Sequence, residues 1–509
     1  MQGMVLEKFG KSQSVIRSED VRFLTGHGAY VDDISPASAL VAYVLRAPVA
    51  HARIVALDLA EACACDGVHL VITAAELHSA GVALDMTAST VPNLDGSQGA
   101  APMRPLLAQD RVRFAGEAVA VVIAESLELA RDAAEQIMVD YDELPVHLSL
   151  QAGGEPLHNE APENRAFDWG FGTKDATEAA FDKAAHRVRL RIDDNRVIVN
   201  ALEPRGCFAE WDGNRLHLSV NGQGVWNQKN RLVDMLGLTP EQVRVTNPDV
   251  GGGFGMKAMS YPEYYVVAHA AIQLGRPVRW MSDRSEAMLS DNAGRDLVST
   301  AELAFDSNYK MTGYRVHSLC NMGAYNSQYA QPIQTELFSK VLTGVYDIPA
   351  AWLRVEGFYT NTTQVDAYRG AGRPEAIYVL ERLVDRAARD LGVDPWELRR
   401  RNFIPSAAFP YTTVSGETYD VGDFHRLLSR VEQTSDKAGF RQRRALSAAA
   451  GKLRGQGLCY YIESILGDPE ESADIRFNED ATVTIFVGTQ SNGQGHETVY
   501  AQFLSDQTG

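Results

Sequence analysis

The chain has 509 residues, enough for two to four domains at roughly 100–200 residues each. Lys and Arg total 48 against 66 Asp and Glu, and the formal net charge of −18 disfavours electrostatic binding to nucleic acid or anionic lipid by the chain as a whole. With 45% hydrophobic, 22% charged and 8% aromatic residues the composition is that of folded globular domains, which excludes a disordered, collagen-like or coiled-coil chain.

Residues 1–20 lack an apolar signal-peptide core, and no long uncharged apolar run follows, so a cytoplasmic location is expected. Strands and helices alternate from Gly28 to about Pro145. Residues 40–45 are rich in β-formers, 118–123 read as a buried strand, and 126–137 have helical spacing with Leu127, Ala130, Ala134 and Ile137 on one side. This predicts an α/β domain over 1–150. Residues 151–174 carry Gly, Pro, Asn and Glu with little periodicity and read as a linker.

A second domain is expected over 175–405, with strands at 188–192, 216–220 and 242–246. Near its end, residues 376–391 place Ile377, Leu380, Val384, Ala387 and Leu391 on one helical face, and Gly392 closes the helix. Asp394, Pro395 and Glu397 then read as the N-cap, first-turn proline and N3 acid of the next helix. A third region, assigned to 430–509, shows alternating strands from Gly455, including 481–487. Five cysteines, Cys63, Cys65, Cys207, Cys320 and Cys459, are too few and too scattered for a disulfide framework or a four-cysteine iron–sulfur site.

An echo links the second and third regions. The strand 216–220 runs into Asn221-Gly222-Gln223-Gly224 and a helix, and the strand 483–487 leads to Asn492-Gly493-Gln494-Gly495 and another. Each puts backbone N–H groups at a helix N-terminus, where anions bind. The densest glycine run is Asp249-Val250-Gly251-Gly252-Gly253-Phe254-Gly255-Met256-Lys257. Four glycines in five positions permit positive φ and close backbone approach to a ligand. It is neither a Walker loop, since Ala258 follows Lys257, nor a dinucleotide fingerprint, since Met256 stands where the last glycine belongs. In Asp366-Ala367-Tyr368-Arg369-Gly370-Ala371-Gly372-Arg373-Pro374-Glu375, two arginines bracket a turn, so a guanidinium fork and helix N–H groups could meet an anion. Each turn alone fits a structural role as well as a functional one.

In this order, N-A-L-E-P-R-G, N-G-Q-G, D-V-G-G-G-F-G-M-K, A-Y-R-G-A-G-R-P-E-A and N-G-Q-G-H-E-T resemble the molybdenum-cofactor-binding large subunit of the xanthine dehydrogenase/aldehyde oxidase family, closest to the carbon monoxide dehydrogenase type. V-R-F-L-T-G-H-G-A-Y-V-D-D at 21–33 and R-F-A-G-E-A-V-A-V-V-I-A at 113–124 resemble the family's N-terminal α/β-hammerhead domain. The resemblance implies an α+β chain: hammerhead, first molybdopterin-binding domain, and the start of a second. It also implies molybdenum held by a pterin dithiolene with no direct protein ligand, and, as in bacterial members, molybdopterin cytosine dinucleotide. Gln223 would then hydrogen-bond the metal's apical oxo group, and Gly252, Gly253, Phe254 and Gly255 would lay main-chain N–H groups beside its oxygen ligands. Arg369 would sit behind the cofactor, and Gly493, Gln494, Gly495 and His496 would contact the pterin and its phosphate.

Departures from the family inform the substrate. Purine hydroxylases carry a glutamate where Ala258 stands and an aromatic clamp where Ala371 stands, which implies a wider, less polar pocket here. Carbon monoxide oxidisers carry a copper-binding cysteine where Gly370 stands, which argues against carbon monoxide. The family's general-base glutamate belongs to a later G-x-G-E motif, so it is expected beyond Gly509, the chain reading as truncated and by itself inactive. The implied reaction is hydroxylation of an aldehyde or N-heteroaromatic C–H with oxygen from water. Electrons would leave through a [2Fe-2S] small subunit to an FAD-binding medium subunit. A non-catalytic cofactor-binding or assembly fragment, or an unrelated phosphate-binding enzyme, are the competing readings.

Overall fold

The computed structural model describes residues 9–467 and 470–508. In chain order the strands of its two main sheets are β1 (Leu40–Arg46), β2 (Val68–Ile72), β3 (Ala118–Ala124), β4 (Arg165–Gly172), β5 (His186–Asp194), β6 (Gly206–Trp211), β7 (Leu216–Val220), β8 (Val243–Thr246), β9 (Val278–Met281), β10 (Leu297–Phe305), β11 (Met311–Gly323) and β12 (Ala351–Tyr359). The first sheet has seven strands in the order β8-β7-β6-β9-β1-β3-β2, and the second has five in the order β5-β10-β11-β12-β4. The architecture is the expected α+β class.

The first sheet runs across both of the first two predicted domains. β1 pairs in parallel with β9, Leu40 opposite Val278, although the expected boundary lies between them. All seven residues of β3 are buried, as a strand covered on both faces requires. Helix α1 (Leu127–Glu135) covers one face through Ala130, Ala133 and Ala134. Leu127, expected on that stripe, is instead 40% exposed in the first turn. The other face is covered by α2 (Trp226–Leu236) and α3 (Pro262–Leu274), the latter buried almost all round from Tyr264 to Ala268.

The predicted linker is partly a strand. β4 pairs antiparallel with β12 along the edge of the second sheet, burying Phe167 and Trp169. Helix α4 (Arg373–Leu391) packs on β5 and β10, ends at left-handed Gly392, and is followed by α5 (Pro395–Asn402). Asp394 caps α5 by accepting from the N–H groups of Trp396 and Glu397.

Smaller ribbons and further helices, among them Phe424–Thr434 and Phe440–Ala449, flank these sheets, and the last elements of the chain are a hairpin, β13 (Ala473–Phe477) with β14 (Val483–Val487), and helix α6 (His496–Thr508). The predicted strand start at Ala481 is a left-handed turn residue. Ile475, Phe477 and Phe486 are exposed, and an isolated two-stranded ribbon is marginally stable. Amides of residues 473–487 should therefore exchange with solvent about 10³-fold faster than those of β10 and β11. Equal protection in a hydrogen-exchange experiment would contradict this ranking. Among the described residues no helix is long and apolar enough to cross a membrane.

Candidate functional site: a cavity between glycine loops

Because β7 and β8 are parallel neighbours, the loops after them leave the same edge of the sheet. The first loop carries Gln223 and the second carries the glycine run. Gly252 (φ +92°), Phe254 (+55°) and Gly255 (+92°) are left-handed, and the loop ends in a 3₁₀ turn, Met256–Ala258. Gly253 is glycine for a different reason. A Cβ there would stand 2.5 Å from Gln223 Oε1, so only a bare Cα lets that side chain lie across it.

The Gln223 amide is oriented by its neighbours. Its Oε1 accepts from the Gly255 N–H (2.8 Å), and its own backbone N–H donates to the Lys257 carbonyl (3.0 Å). Its Nε2 donates to no described residue. Lys257 is buried and donates to Glu203 Oε2 (3.1 Å), which also accepts from the Gly251 N–H (2.8 Å). Burial pulls the Lys257 pKa down against the pull of Glu203. The Glu203 of A-L-E-P-R-G thus anchors the glycine run from below.

The Y-R-G turn closes the opposite wall. The Arg369 N–H donates to the Phe254 carbonyl (2.9 Å), and the guanidinium lies 5.9 Å from the Phe254 ring centroid. No described carboxylate or carbonyl accepts from that guanidinium. Gly372 is required by close approach, since a Cβ would stand 2.3 Å from the Ile333 carbonyl oxygen of a π-helical turn, Ile333–Leu337. From the third side, Gln490 ties the two N-G-Q-G loops together. Its Nε2 donates to the Gly222 carbonyl (3.0 Å) and its Oε1 accepts from the Gly224 N–H (2.6 Å).

These loops enclose a cavity of about 520 Å³. Gln223, Gly253, Phe254 and Gly255 line one wall, and Arg369 and Ala371 line another. Gly493 and Gln494 complete it. Gly493 (φ +102°) has open space where a Cβ would be, whereas the Gln494 amide is held within its own loop by Gln490 and Asn492. The structure does not bring the other predicted residues to this wall. Gly252 lies under the Phe254 ring and Gly495 lies against Arg17. His496 begins α6 with its Nδ1 buried and unbonded. Ala258 is turned toward the core of the first sheet.

Single residues whose roles no local spacing marks hold the loops. Arg22 donates to both Asp249 and Glu497, bridging the starts of the glycine run and of α6. Asp366 is buried and accepts from the N–H groups of Ala367 (2.6 Å) and Tyr329 (3.1 Å). Burial pushes its pKa up to about 6. A carboxyl raised in the fold contributes stability that is fully present below its ordinary value near 3.8 and lost as pH rises through 6. The stability of the parent relative to Asp366→Asn should therefore fall between pH 4 and pH 6, by up to about 1.4 kcal/mol per pH unit in denaturant titrations. A pH-independent difference would show that Asp366 is not so perturbed.

An amide and a guanidinium with no described acceptor, set on a glycine-lined concave wall, suit a large, oxygen-rich anionic ligand. The molybdopterin cofactor-binding domain family matches residues 157–403 and again 430–509, and the aldehyde oxidase and xanthine dehydrogenase a/b hammerhead domain matches 25–145. The chain belongs to the xanthine dehydrogenase/aldehyde oxidase family.

As a member of this molybdenum hydroxylase family it is 35% identical over 519 residues to the nicotine 6-hydroxylase large subunit of Paenarthrobacter nicotinovorans, covering 97% of this chain and 62% of that protein. It is 35% identical over 527 residues to the carbon monoxide dehydrogenase large chain of Hydrogenophaga pseudoflava, covering 96% and 64%. The structure of quinoline 2-oxidoreductase from Pseudomonas putida 86 matches with a TM-score of 0.85 at 32% identity, over 97% of this chain and 64% of that one. The chain thus spans less than two thirds of the length of these relatives. The molybdopterin-binding domain matches imply a molybdenum cofactor, and the residues that line this cavity would fit such a group: the Gln223 donor, the Arg369 charge and the open Gly493 backbone all line it.

Proposed function

We propose that the chain is the cofactor-cradling part of a hydroxylase large subunit. Its reaction is oxidative hydroxylation of an N-heteroaromatic or aldehyde C–H with oxygen from water. The cofactor is the cytosine dinucleotide form of molybdopterin, and iron–sulfur and FAD-binding partner subunits take the electrons. The observation that carries this reading is the convergence of Gln223, Phe254 and Arg369 on one cavity. The names of the nicotine- and quinoline-oxidising relatives support the heteroaromatic class.

When bound, the molybdenum cofactor supplies two-electron redox chemistry. The chain's own residues bind and orient it. Gln223 Nε2 would donate to an oxygen acceptor of the bound group, with its direction fixed by the Gly255 N–H. Arg369 offers an unpaired positive charge beside the same wall. Gly370 (φ +98°) leaves no room for a side chain, because a Cβ would stand 2.2 Å from Pro374 Cγ. That speaks against a cysteine-type role for this turn, and so against carbon monoxide as substrate. Ala371 leaves the pocket wall small. Of the neighbouring carboxylates, Glu203 is held by Lys257 and Gly251 and Asp366 by Ala367 and Tyr329, and neither lines the cavity.

Turnover of the assembled enzyme in ¹⁸O-labelled water should label the product, and label arriving from dioxygen instead would refute the reaction. Arg369→Ala should lower molybdenum per folded molecule several-fold with little change in melting temperature, because the side chain is exposed and unpaired. Full occupancy in Arg369→Ala would remove this residue from the cofactor site.

A further inference from the structure

We propose that Arg295 is a positioning residue that sets the places of both loops facing the cavity, a role that rests on reading the cavity as a cofactor site. Its guanidinium is almost wholly buried and makes three bonds. Nη2 donates to the Arg369 carbonyl (2.8 Å), and Nη1 donates to the Tyr368 carbonyl (3.2 Å) and to Glu375 Oε1 in the first turn of α4 (3.0 Å). The guanidinium carbon also lies 4.7 Å from the Tyr368 ring centroid. Arg369 in turn donates its N–H to the Phe254 carbonyl, so the hold reaches the glycine run.

The backbone around Arg295 is built for this contact. Arg295 (φ +63°) and Asp296 (+66°) are two successive left-handed residues that are not glycine, a conformation that persists only where its surroundings enforce it. They do. Asp296 Oδ2 accepts from Arg196 Nη1 (2.8 Å) and Asn321 Nδ2 (3.0 Å), and the Asn321 N–H donates to the Asp296 carbonyl (3.0 Å). At Gly294 a Cβ would stand 2.3 Å from Tyr368 Cβ, so the segment lies directly against the Y-R-G turn. The strained backbone aims a planar fork at two carbonyls and a carboxylate that one lysine ammonium could not satisfy together.

The test compares Arg295→Lys and Arg295→Met with the parent, in the assembled enzyme and in the chain without cofactor. Lysine keeps the charge opposite Glu375, so Arg295→Lys should melt within a few degrees of the parent. Amide exchange at residues 368–372 should rise about tenfold in both variants, and molybdenum per folded molecule should fall with it. Arg369→Ala is the control, lowering molybdenum while leaving that exchange unchanged. Unchanged exchange at 368–372 in Arg295→Lys would overturn the proposal whatever the metal content, and so would loss of folding in both variants, which would assign Arg295 to global stability. A parent enzyme without molybdenum would overturn the cofactor reading instead, and the exchange measurement on the cofactor-free chain would still decide whether Arg295 positions the loops.

Discussion

Arg205→Ala is expected to destabilise the protein by about 3–5 kcal/mol, the range for removing one partner of a buried ion pair. The Arg205 side chain is fully buried, 2.9 Å from Glu263 Oε2 and 3.1 Å from Ser290 Oγ, and bonded to Asp291. Its guanidinium carbon lies 3.7 Å from the Tyr261 ring centroid. Burial alone would push the Glu263 carboxyl up, but Arg205 and Arg46 outweigh it and hold that group well below the usual carboxylate range. After the substitution Glu263 keeps its ion pair with Arg46 and the field of Arg104, and Asp291 loses its ion pair with Arg205. Chemical denaturation should show the loss, while molybdenum per folded molecule should stay near the parent's, because Arg205 lies outside the cavity wall. Arg205→Met combined with Glu263→Gln and Asp291→Asn should recover part of it. A single variant as stable as the parent would mean that the network contributes nothing.

Gly253→Ala should do the opposite, leaving the fold nearly intact and lowering turnover by about 10²-fold. The added Cβ meets Gln223 Cδ and Oε1 at 2.5 Å, and Gly253 itself has no left-handed φ to make alanine strained. The Gln223 side chain must therefore move off the Gly255 N–H, and its amide loses its direction into the cavity. Gln223→Ala should show a similar loss, and the double variant little more than either alone. Wild-type turnover in Gly253→Ala would refute the assigned role of Gln223. By contrast, Gly493→Ala meets no atom within 4 Å, and any effect there comes from its backbone conformation.

The loops that line the cavity were legible because glycine runs declare themselves locally, although runs such as 249–257 and 366–375 each fit a structural role as well and it was their order along the chain that singled them out. The helix punctuation at Gly392 and Asp394 is short-range chemistry. What stayed hidden depends on distant partners. Arg295 acts on Arg369, Arg22 on Glu497 and Gln490 on Gly222, and no local spacing marks such pairs. The strand at 165–172 was missed because its alternating Phe167, Trp169 and Phe171 lie among glycines and charges that read as loop. Ala258 sits in the 3₁₀ turn after Gly255 and packs on the core of the first sheet, a placement that its position just after the glycine run does not reveal.

The parallel pairing of β1 with β9 has a consequence for how the chain is made. Leu40 emerges from the ribosome long before its partner Val278, and at about 5–20 residues per second the roughly 240 residues between them take about 12–50 s to synthesise. During that interval β1 can pair with β3, but its other edge stays open until β9 arrives. An unpaired edge next to a strand as apolar as Ala118–Ala124 is a site where nascent chains stick to one another. Folding yield in the cell should therefore depend on translation speed between residues 125 and 280 and on chaperones that shield β1, more than on the stability of the finished sheet.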